Sequence, residues 1–184
     1  MRYFVTVTVA LLLCSCQPQA EPSGQSPSPQ PSVAQTEAPP SLPRPAPQVT
    51  TKDQDGNPVD LSALYQKGIV LVYFYPKADT PGCTAQACSL RDSYEQLTEK
   101  GVTVVGVSLD DADSQKAFQK KYQLPFTLIP DTDQKMVKAF QVSHPAGFAN
   151  REAFLIKDGE IVWHDASAST DKQASDVLKT MESW

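Results

Sequence analysis

Apolar runs and amphipathic stretches alternate along the chain from residue 69 onward. Continuous apolar runs over residues 69–75 and 102–109 are typical of strands that are covered on both faces. Between and after them, residues 84–100 and 113–122 have the 3.6-residue periodicity of helices. Two shorter elements follow, for which the pattern predicts a strand within residues 125–131 and a helix over residues 134–140.

Both ends of this region show hairpin signals. The segment KDQDGNPVDL (52–61) contains an Asp-Gly turn between strand-like flanks, and Asp60 or Ser62 is placed to cap a short helix that ends before Gly68. Residues 152–165 predict a second hairpin with a Lys-Asp-Gly turn. A final amphipathic helix has an apolar face of Ala174, Val177, Leu178 and Met181. Together these elements predict an α/β domain, a central mixed sheet flanked by helices.

The segment before this domain has a different composition. Ten of the 16 prolines fall between Pro18 and Pro47, among Ser, Gln and Ala. Such a segment buries too little apolar surface to offset its ordering entropy. We therefore predict a disordered linker over residues 17–47 and one folded domain over residues 48–184, with the linker reaching up to ~100 Å if it is extended.

The first sixteen residues are typical of a targeting signal. Arg2 precedes an apolar run over residues 3–13, which is too short to cross a bilayer but suits the core of a signal peptide. Cys16 follows the small residue Ser15, as in a bacterial lipoprotein signal, whereas Cys14 follows Leu13 and fits that pattern poorly. The prediction is lipidation at Cys16 and a membrane-anchored, extracytoplasmic domain.

The net charge and its distribution argue against nucleic acid as a partner. The formal net charge is −5, and acidic and basic residues are interspersed rather than clustered. Nucleic-acid binding depends on a basic patch or stripe. We therefore expect no nucleic-acid partner.

Only two cysteines, Cys83 and Cys88, belong to the predicted domain, and their spacing is informative. In an intact helix, residues five apart have Cα atoms ~8.6 Å from each other, whereas a disulfide needs them within about 7 Å. A structural disulfide therefore requires this segment not to be helical. A zinc site would need His144 and His164 at uncharacteristic spacing, and we expect both to be ordinary surface or loop residues. No Cys-x-x-Cys motif is present, so the pair is interpreted as a redox switch that closes after local unwinding.

The surroundings of Cys83 favour a reactive thiol. A cysteine at a helix N-terminus faces unpaired backbone N–H groups and the positive end of the helix dipole, both of which favour the thiolate. Thr80 can place a hydroxyl beside the sulfur or a bound oxygen. Pro76 and Pro81 stiffen the preceding loop, and Gly82 permits close approach of the backbone.

These residues carry a family resemblance. The motif Pro76-x-x-x-Thr80-x-x-Cys83 resembles the active-site motif of peroxiredoxins, and its continuation GCTAQAC resembles the subgroup known as bacterioferritin comigratory protein or peroxiredoxin Q. The similarity continues through DGNPVDLS, VVGVSLD and REAFLIKDG to the C-terminus. It implies a thioredoxin-like fold and a peroxidase with antioxidant activity.

The resemblance also implies roles for individual residues. Cys83 would be the peroxidatic cysteine and Cys88 the resolving one, with Thr80, Pro76 and Arg151 completing the site. Hydrogen peroxide and organic hydroperoxides would be the substrates and a thioredoxin-like protein the reductant. The subgroup further implies a monomer that needs no metal or organic cofactor.

Two other functions are compatible with a sheet-and-helix domain. One is a membrane-tethered thiol–disulfide oxidoreductase acting on protein substrates, which has no need of Thr80 or Arg151. The other is a tethered binding domain in which the cysteines are incidental, so that alkylation of Cys83 would change no activity.

Overall fold

Eight strands and six helices alternate along the chain in a computed structural model, which describes residues 41–184. The strands are β1 (Arg44–Pro45), β2 (Thr50–Lys52), β3 (Pro58–Asp60), β4 (Ile69–Phe74), β5 (Val102–Ser108), β6 (Thr127–Pro130), β7 (Glu152–Lys157) and β8 (Glu160–Asp165). The helices are α1 (Leu61–Tyr65), α2 (Pro81–Asp92), α3 (Tyr94–Glu99), α4 (Ala112–Tyr122), α5 (Lys135–Ala139) and α6 (Gln173–Glu182), and a short 3-10 turn covers Pro145–Gly147.

Six of the strands form one mixed sheet in the order β1-β8-β7-β4-β5-β6. The strands β4, β5 and β6 are parallel to one another, while β7 is antiparallel to β4, and β8 is antiparallel to both β7 and β1. The strands β2 and β3 form a separate antiparallel hairpin. The predicted mixed sheet and both predicted hairpins are confirmed.

Helices cover both faces of this sheet. Along β4, Leu71 and Tyr73 contribute to one buried cluster, and Val72 and Phe74 contribute to the other. The first cluster includes apolar residues of α2, α3, α4 and α6, and the second includes those of α1 and α5. Because successive side chains of a strand point to opposite faces, a strand covered on both sides reads as an unbroken apolar run.

The helix predicted over residues 84–100 is two helices in the structure. The first, α2, begins at Pro81 and ends at Asp92, and α3 follows from Tyr94. Ser93 separates them with φ −105° and ψ 13°, outside the usual helical range. Serine has a lower intrinsic helix preference than alanine or leucine, although the Ser93 side chain makes no capping hydrogen bond. The apolar stripe continues across the break, which is why periodicity alone did not locate it.

The folded domain also begins earlier than predicted. Arg44 and Pro45, placed within the predicted linker, pair with Ile161 and Glu160 at the edge of the sheet. Ala46 is buried, and its backbone N–H donates to the carbonyl oxygen of Gly159. Proline is tolerated on an edge strand because the side facing away from the sheet needs no donor.

The predicted targeting features lie outside the described residues. These are the signal over residues 1–16 with Cys16, and the first part of the predicted linker, residues 17–40 of 17–47, lies outside them as well. Within residues 41–184, no helix is both long and apolar enough to span a membrane.

Candidate active site

The turn between β4 and α2 places Cys83 in the first turn of a helix. Thr80 is the residue before α2, with an extended backbone, and its carbonyl accepts the first helical hydrogen bond from the Thr84 N–H at 2.8 Å. Pro81 occupies the first helical position, where its missing N–H costs nothing. The Cys83 side chain consequently lies under the helix start and is only 1% exposed.

The loop before α2 is attached to β5 and α4. The Ala78 N–H donates to Asp110 Oδ2 at 2.7 Å, just beyond the end of β5. Asp79 has a left-handed backbone (φ 59°), and its carboxylate accepts from Lys121 Nζ and from the Tyr122 hydroxyl, each at 2.7 Å. The Lys121 ion pair is solvent-exposed and contributes little alone, but the three bonds together fix the path of the loop.

A buried series of hydrogen bonds ends on Asp110, the residue that accepts from the Ala78 N–H. The Tyr75 hydroxyl donates to Gln115 Oε1, and Gln115 Nε2 donates to Ser108 Oγ at 2.6 Å. Ser108 Oγ in turn donates to Asp110 Oδ2 at 2.6 Å. Burial raises the pKa of Tyr75 well above its usual range, so the phenol keeps its proton and remains a donor.

Arg151 is the group in contact with the Cys83 sulfur. It precedes β7, and its Nη2 lies 3.4 Å from Cys83 Sγ. Its Nη1 donates to Gln86 Oε1, one turn along α2 from the cysteine. A guanidinium offers several donors in a fixed plane, so it serves a sulfur and an amide at once.

Cys88 lies on the same unbroken helix as Cys83. Both thiols are free, with Cys83 buried and Cys88 half-buried. Because α2 is continuous over both residues, their Cα atoms are farther apart than the limit of about 7 Å that a disulfide requires. The structure therefore holds the pair apart, and bond formation requires unwinding of α2.

Two other residues of the predicted site lie near the start of α2 without bonding to the sulfur. The Thr80 hydroxyl donates to the Lys77 carbonyl at 2.9 Å, which leaves its oxygen available as an acceptor. Pro76 is half-buried, two residues after the end of β4. Of the predicted site residues, the structure thus brings Cys83 and Arg151 into direct contact.

One of the two histidines, His164, has an environment that differs from the prediction. His164 belongs to β8, and its Nε2 lies 2.8 Å from Glu152 Oε2. Its ring stacks on Phe154 with centroids 4.2 Å apart, so the expectation of an ordinary surface or loop residue was wrong for His164. His144 lies in a loop, with Nδ1 2.9 Å from the Val142 carbonyl. Among residues 41–184, no three His, Cys, Asp or Glu side chains form a group suited to a metal ion.

Sequence reasoning missed three polar residues around the site. Gln86 lies within the motif that carries the family resemblance, but neither its spacing nor its type gave it a role. Asp110 and Gln173 are distant from Cys83 in the sequence, and only the tertiary fold brings them to the site. Gln173 Oε1 accepts from Gln86 Nε2 at 2.8 Å, although the two residues are 87 positions apart.

Comparison with known proteins gives one consistent result. The AhpC/TSA family model matches residues 42–164. The chain is 42% identical over 141 residues to a chloroplastic peroxiredoxin Q of Sedum lineare, and 52% identical over 141 residues to that of Arabidopsis thaliana. Each match covers 74% of this chain, with 75% of the Sedum protein and 65% of the Arabidopsis protein.

A solved structure is similar over the same region. The peroxidoxin BcpB of Mycobacterium tuberculosis superimposes with a TM-score of 0.72 and 30% identity, covering 77% of this chain and 96% of that one. This similarity confirms the thioredoxin-like fold that the resemblance implied.

Proposed function

The chain belongs to the AhpC/TSA family and, within it, to the peroxiredoxin Q group, and from that premise we propose a complete catalytic cycle for this thiol-dependent peroxidase. In the proposed cycle Cys83 is the peroxidatic cysteine and Cys88 the resolving cysteine. Hydrogen peroxide and organic hydroperoxides are the substrates. The guanidinium held against the sulfur favours the peroxidase over the two alternatives, because a bound peroxide oxygen needs a donor beside the sulfur and a disulfide substrate does not.

The first step is attack of the Cys83 thiolate on the terminal oxygen of the peroxide. A sulfur–oxygen bond forms as the O–O bond breaks, so that sulfur loses two electrons and the peroxide gains them. The leaving hydroxide or alkoxide takes a proton and departs as water or an alcohol. Arg151 and the backbone N–H groups at the start of α2 hold the peroxide and stabilise the charge on the leaving oxygen, and the Thr80 oxygen accepts a hydrogen bond from the O–H of the peroxide.

The second step joins the two cysteines. The first turns of α2 unwind, and the Cys88 thiolate attacks the Cys83 sulfenic acid, releasing hydroxide that is protonated to water. The product is an intramolecular disulfide. A thioredoxin-like dithiol then reduces it by exchange through a mixed disulfide, which returns both cysteines to the thiol form.

The contact between Arg151 Nη2 and Cys83 Sγ at 3.4 Å is the observation that carries the proposal. An arginine is costly to hold in a half-buried position without anionic or hydrogen-bonding partners, and here its donors face a sulfur and an amide oxygen. A thiolate-based peroxidase needs this arrangement, because its donors serve both the thiolate and a bound oxygen.

The test is a rapid reaction between the reduced full chain and one equivalent of hydrogen peroxide. Cys14→Ser and Cys16→Ser are included as background substitutions, so that only Cys83 and Cys88 can react. Thiol loss far faster than for a free cysteine, and abolished by Cys83→Ser, is the expected result. Loss at the rate of a free thiol would refute peroxidase activity at this site.

We also propose that Cys16 carries a lipid that tethers the domain to the extracytoplasmic side of a membrane. The apolar run over residues 3–13 and the small residue Ser15 before Cys16 support this assignment. Metabolic labelling with a radioactive fatty acid should mark the wild-type chain but not Cys16→Ser. Equal labelling of both chains would contradict lipidation at Cys16.

A further inference from the structure

A chain of polar contacts links the Cys83 sulfur to the first residue of the C-terminal helix. It runs from Cys83 Sγ to Arg151 Nη2, from Arg151 Nη1 to Gln86 Oε1, and from Gln86 Nε2 to Gln173 Oε1. Gln86 and Gln173 are both fully buried. Water therefore has little access to either amide, and the hydrogen bonds that these two side chains make come from protein groups.

The donor and acceptor groups available on each side chain determine which way each of these hydrogen bonds points. Arginine has donors only, so Gln86 must turn its amide oxygen toward Arg151. The NH₂ group of Gln86 then points the other way and needs an acceptor, which Gln173 Oε1 provides at 2.8 Å. The NH₂ group of Gln173 is buried and has no hydrogen-bond partner among the described residues.

We propose that Gln173 is a positioning residue, which orients the Gln86 amide and through it holds Arg151 against the Cys83 sulfur. The terminal torsion of glutamine is broad and roughly two-fold, so that packing alone does not select one amide orientation. Without an acceptor at position 173, Gln86 loses the partner that selects the orientation needed by Arg151. This proposal rests on the function proposed above.

A second contact reinforces the attachment of α6 to α2. The Ala174 N–H donates to Ser89 Oγ at 3.2 Å. The start of α6 is therefore bonded to α2 at Gln86 and at Ser89, on either side of Cys88. Both bonds hold the reduced, helical form of α2, and their loss allows the unwinding that disulfide formation requires.

Two substitutions at position 173 separate the acceptor from the rest of the side chain. Gln173→Leu removes the acceptor while keeping a side chain of similar bulk. Gln173→Glu replaces only the unpartnered NH₂ group, and a carboxyl group keeps an acceptor oxygen whether it is neutral or ionised. We expect Gln173→Leu to slow sulfenic acid formation at Cys83 about tenfold, and Gln173→Glu to restore most of that rate.

Val177→Ala is the matched control on the same helix. Val177 is fully buried one turn after Gln173 and belongs to the same core cluster as Cys83, but it has no polar side chain. The substitution removes buried apolar packing and should lower the midpoint of thermal unfolding, whereas the rate with peroxide should stay near that of the wild type. Thermal unfolding of every variant shows whether a slow rate reflects a loss of folding.

A double-mutant cycle with Arg151→Gln distinguishes a positioning role of Gln173 from a role in packing. The quantity compared is the effect of Gln173→Leu on the peroxide rate with and without Arg151. If Gln173 acts through Arg151, Gln173→Leu has almost no further effect on the peroxide rate in the Arg151→Gln background, because the group it positions is already absent. A residue needed only for packing would instead slow both backgrounds by the same factor.

The experiment is rapid mixing of the full chain with hydrogen peroxide, in the background without Cys14 and Cys16 thiols, followed by trapping of the sulfenic acid. A wild-type rate for Gln173→Leu, or equal loss in both arginine backgrounds, would overturn the role of Gln173 while leaving the peroxidase intact. A slow wild-type chain would instead refute the proposed function itself, so the two failures are distinguishable.

Discussion

Gly82→Ala is expected to slow the reaction of Cys83 with peroxide while leaving the fold intact. A Cβ atom at this position would lie 3.3 Å from Arg151 Nη2 and 3.3 Å from Thr170 Cγ2. Both distances are shorter than ordinary van der Waals contacts, so the neighbours must give way by a few tenths of an ångström. Gly82 has no positive φ, and its backbone therefore accepts alanine without strain.

The expected loss of rate depends on how far the new methyl group displaces the Arg151 side chain. The arginine tip is the far end of a flexible side chain, so its displacement costs little stability. The same tip is also the donor to Cys83 Sγ. A misplacement of about 1 Å can cost ~100-fold in rate, so a shift of about 0.3 Å corresponds to a loss of roughly fourfold. Alanine is the better helix former, and the change in unfolding free energy should stay below about 1 kcal/mol.

The assay is rapid quenching of the reduced chain with peroxide at several concentrations, which gives a second-order rate constant, together with chemical denaturation of the same samples. Thr170→Ala in the Gly82→Ala background removes the other close contact of the new methyl group and should recover part of the rate. An unchanged rate for Gly82→Ala would refute the reasoning. So would a slow rate that is explained by unfolding.

Three further substitutions test other parts of the structure. Cys88→Ser should leave the first oxidation fast but accumulate sulfenic acid, measured by dimedone labelling and mass spectrometry; an intramolecular disulfide in this variant would contradict the assignment. Arg151→Lys keeps the charge but cannot contact both Cys83 and Gln86, and rapid mixing should show a loss of about 10- to 100-fold in the peroxide rate. Gly106→Ala places a Cβ 2.7 Å from a buried Tyr73 hydroxyl; urea unfolding should show a loss of about 1–3 kcal/mol, and an unchanged midpoint would contradict this.

Elements built from local pattern were predictable from the sequence. The buried strands β4 and β5, the hairpin of β7 and β8, and the stripe that places Cys83 on the inner face of α2 all follow from periodicities within short segments. The motif around Cys83 added the family and hence the fold. These features need no knowledge of which distant segments meet.

Features that depend on distant segments were not predictable in this way. The edge strand β1 has the composition of a linker, and only its pairing with β8 identifies it as a strand. Gln173 precedes the apolar face of the last helix and gives no sign by itself of contact with a residue 87 positions earlier. Asp110 likewise follows a buried strand without showing that its carboxylate holds the loop before α2.

The proposed cycle places opposite demands on α2. The reaction with peroxide needs the helix intact, because its N-terminus and the Gln86–Arg151 contact act on Cys83 only in that form. Disulfide formation needs the same helix unwound, which breaks the contacts of Gln86 and of Ser89 with α6. Each such bond contributes about 0.5–1.5 kcal/mol, so the contacts to α6 account for roughly 1–3 kcal/mol of the cost of local opening. Strengthening them would favour the first step and delay the second, and a sulfenic acid that waits for Cys88 is open to further oxidation to the sulfinic acid. The attachment of α6 to α2 therefore has to be strong enough to orient Arg151 and weak enough to be broken once in every turnover.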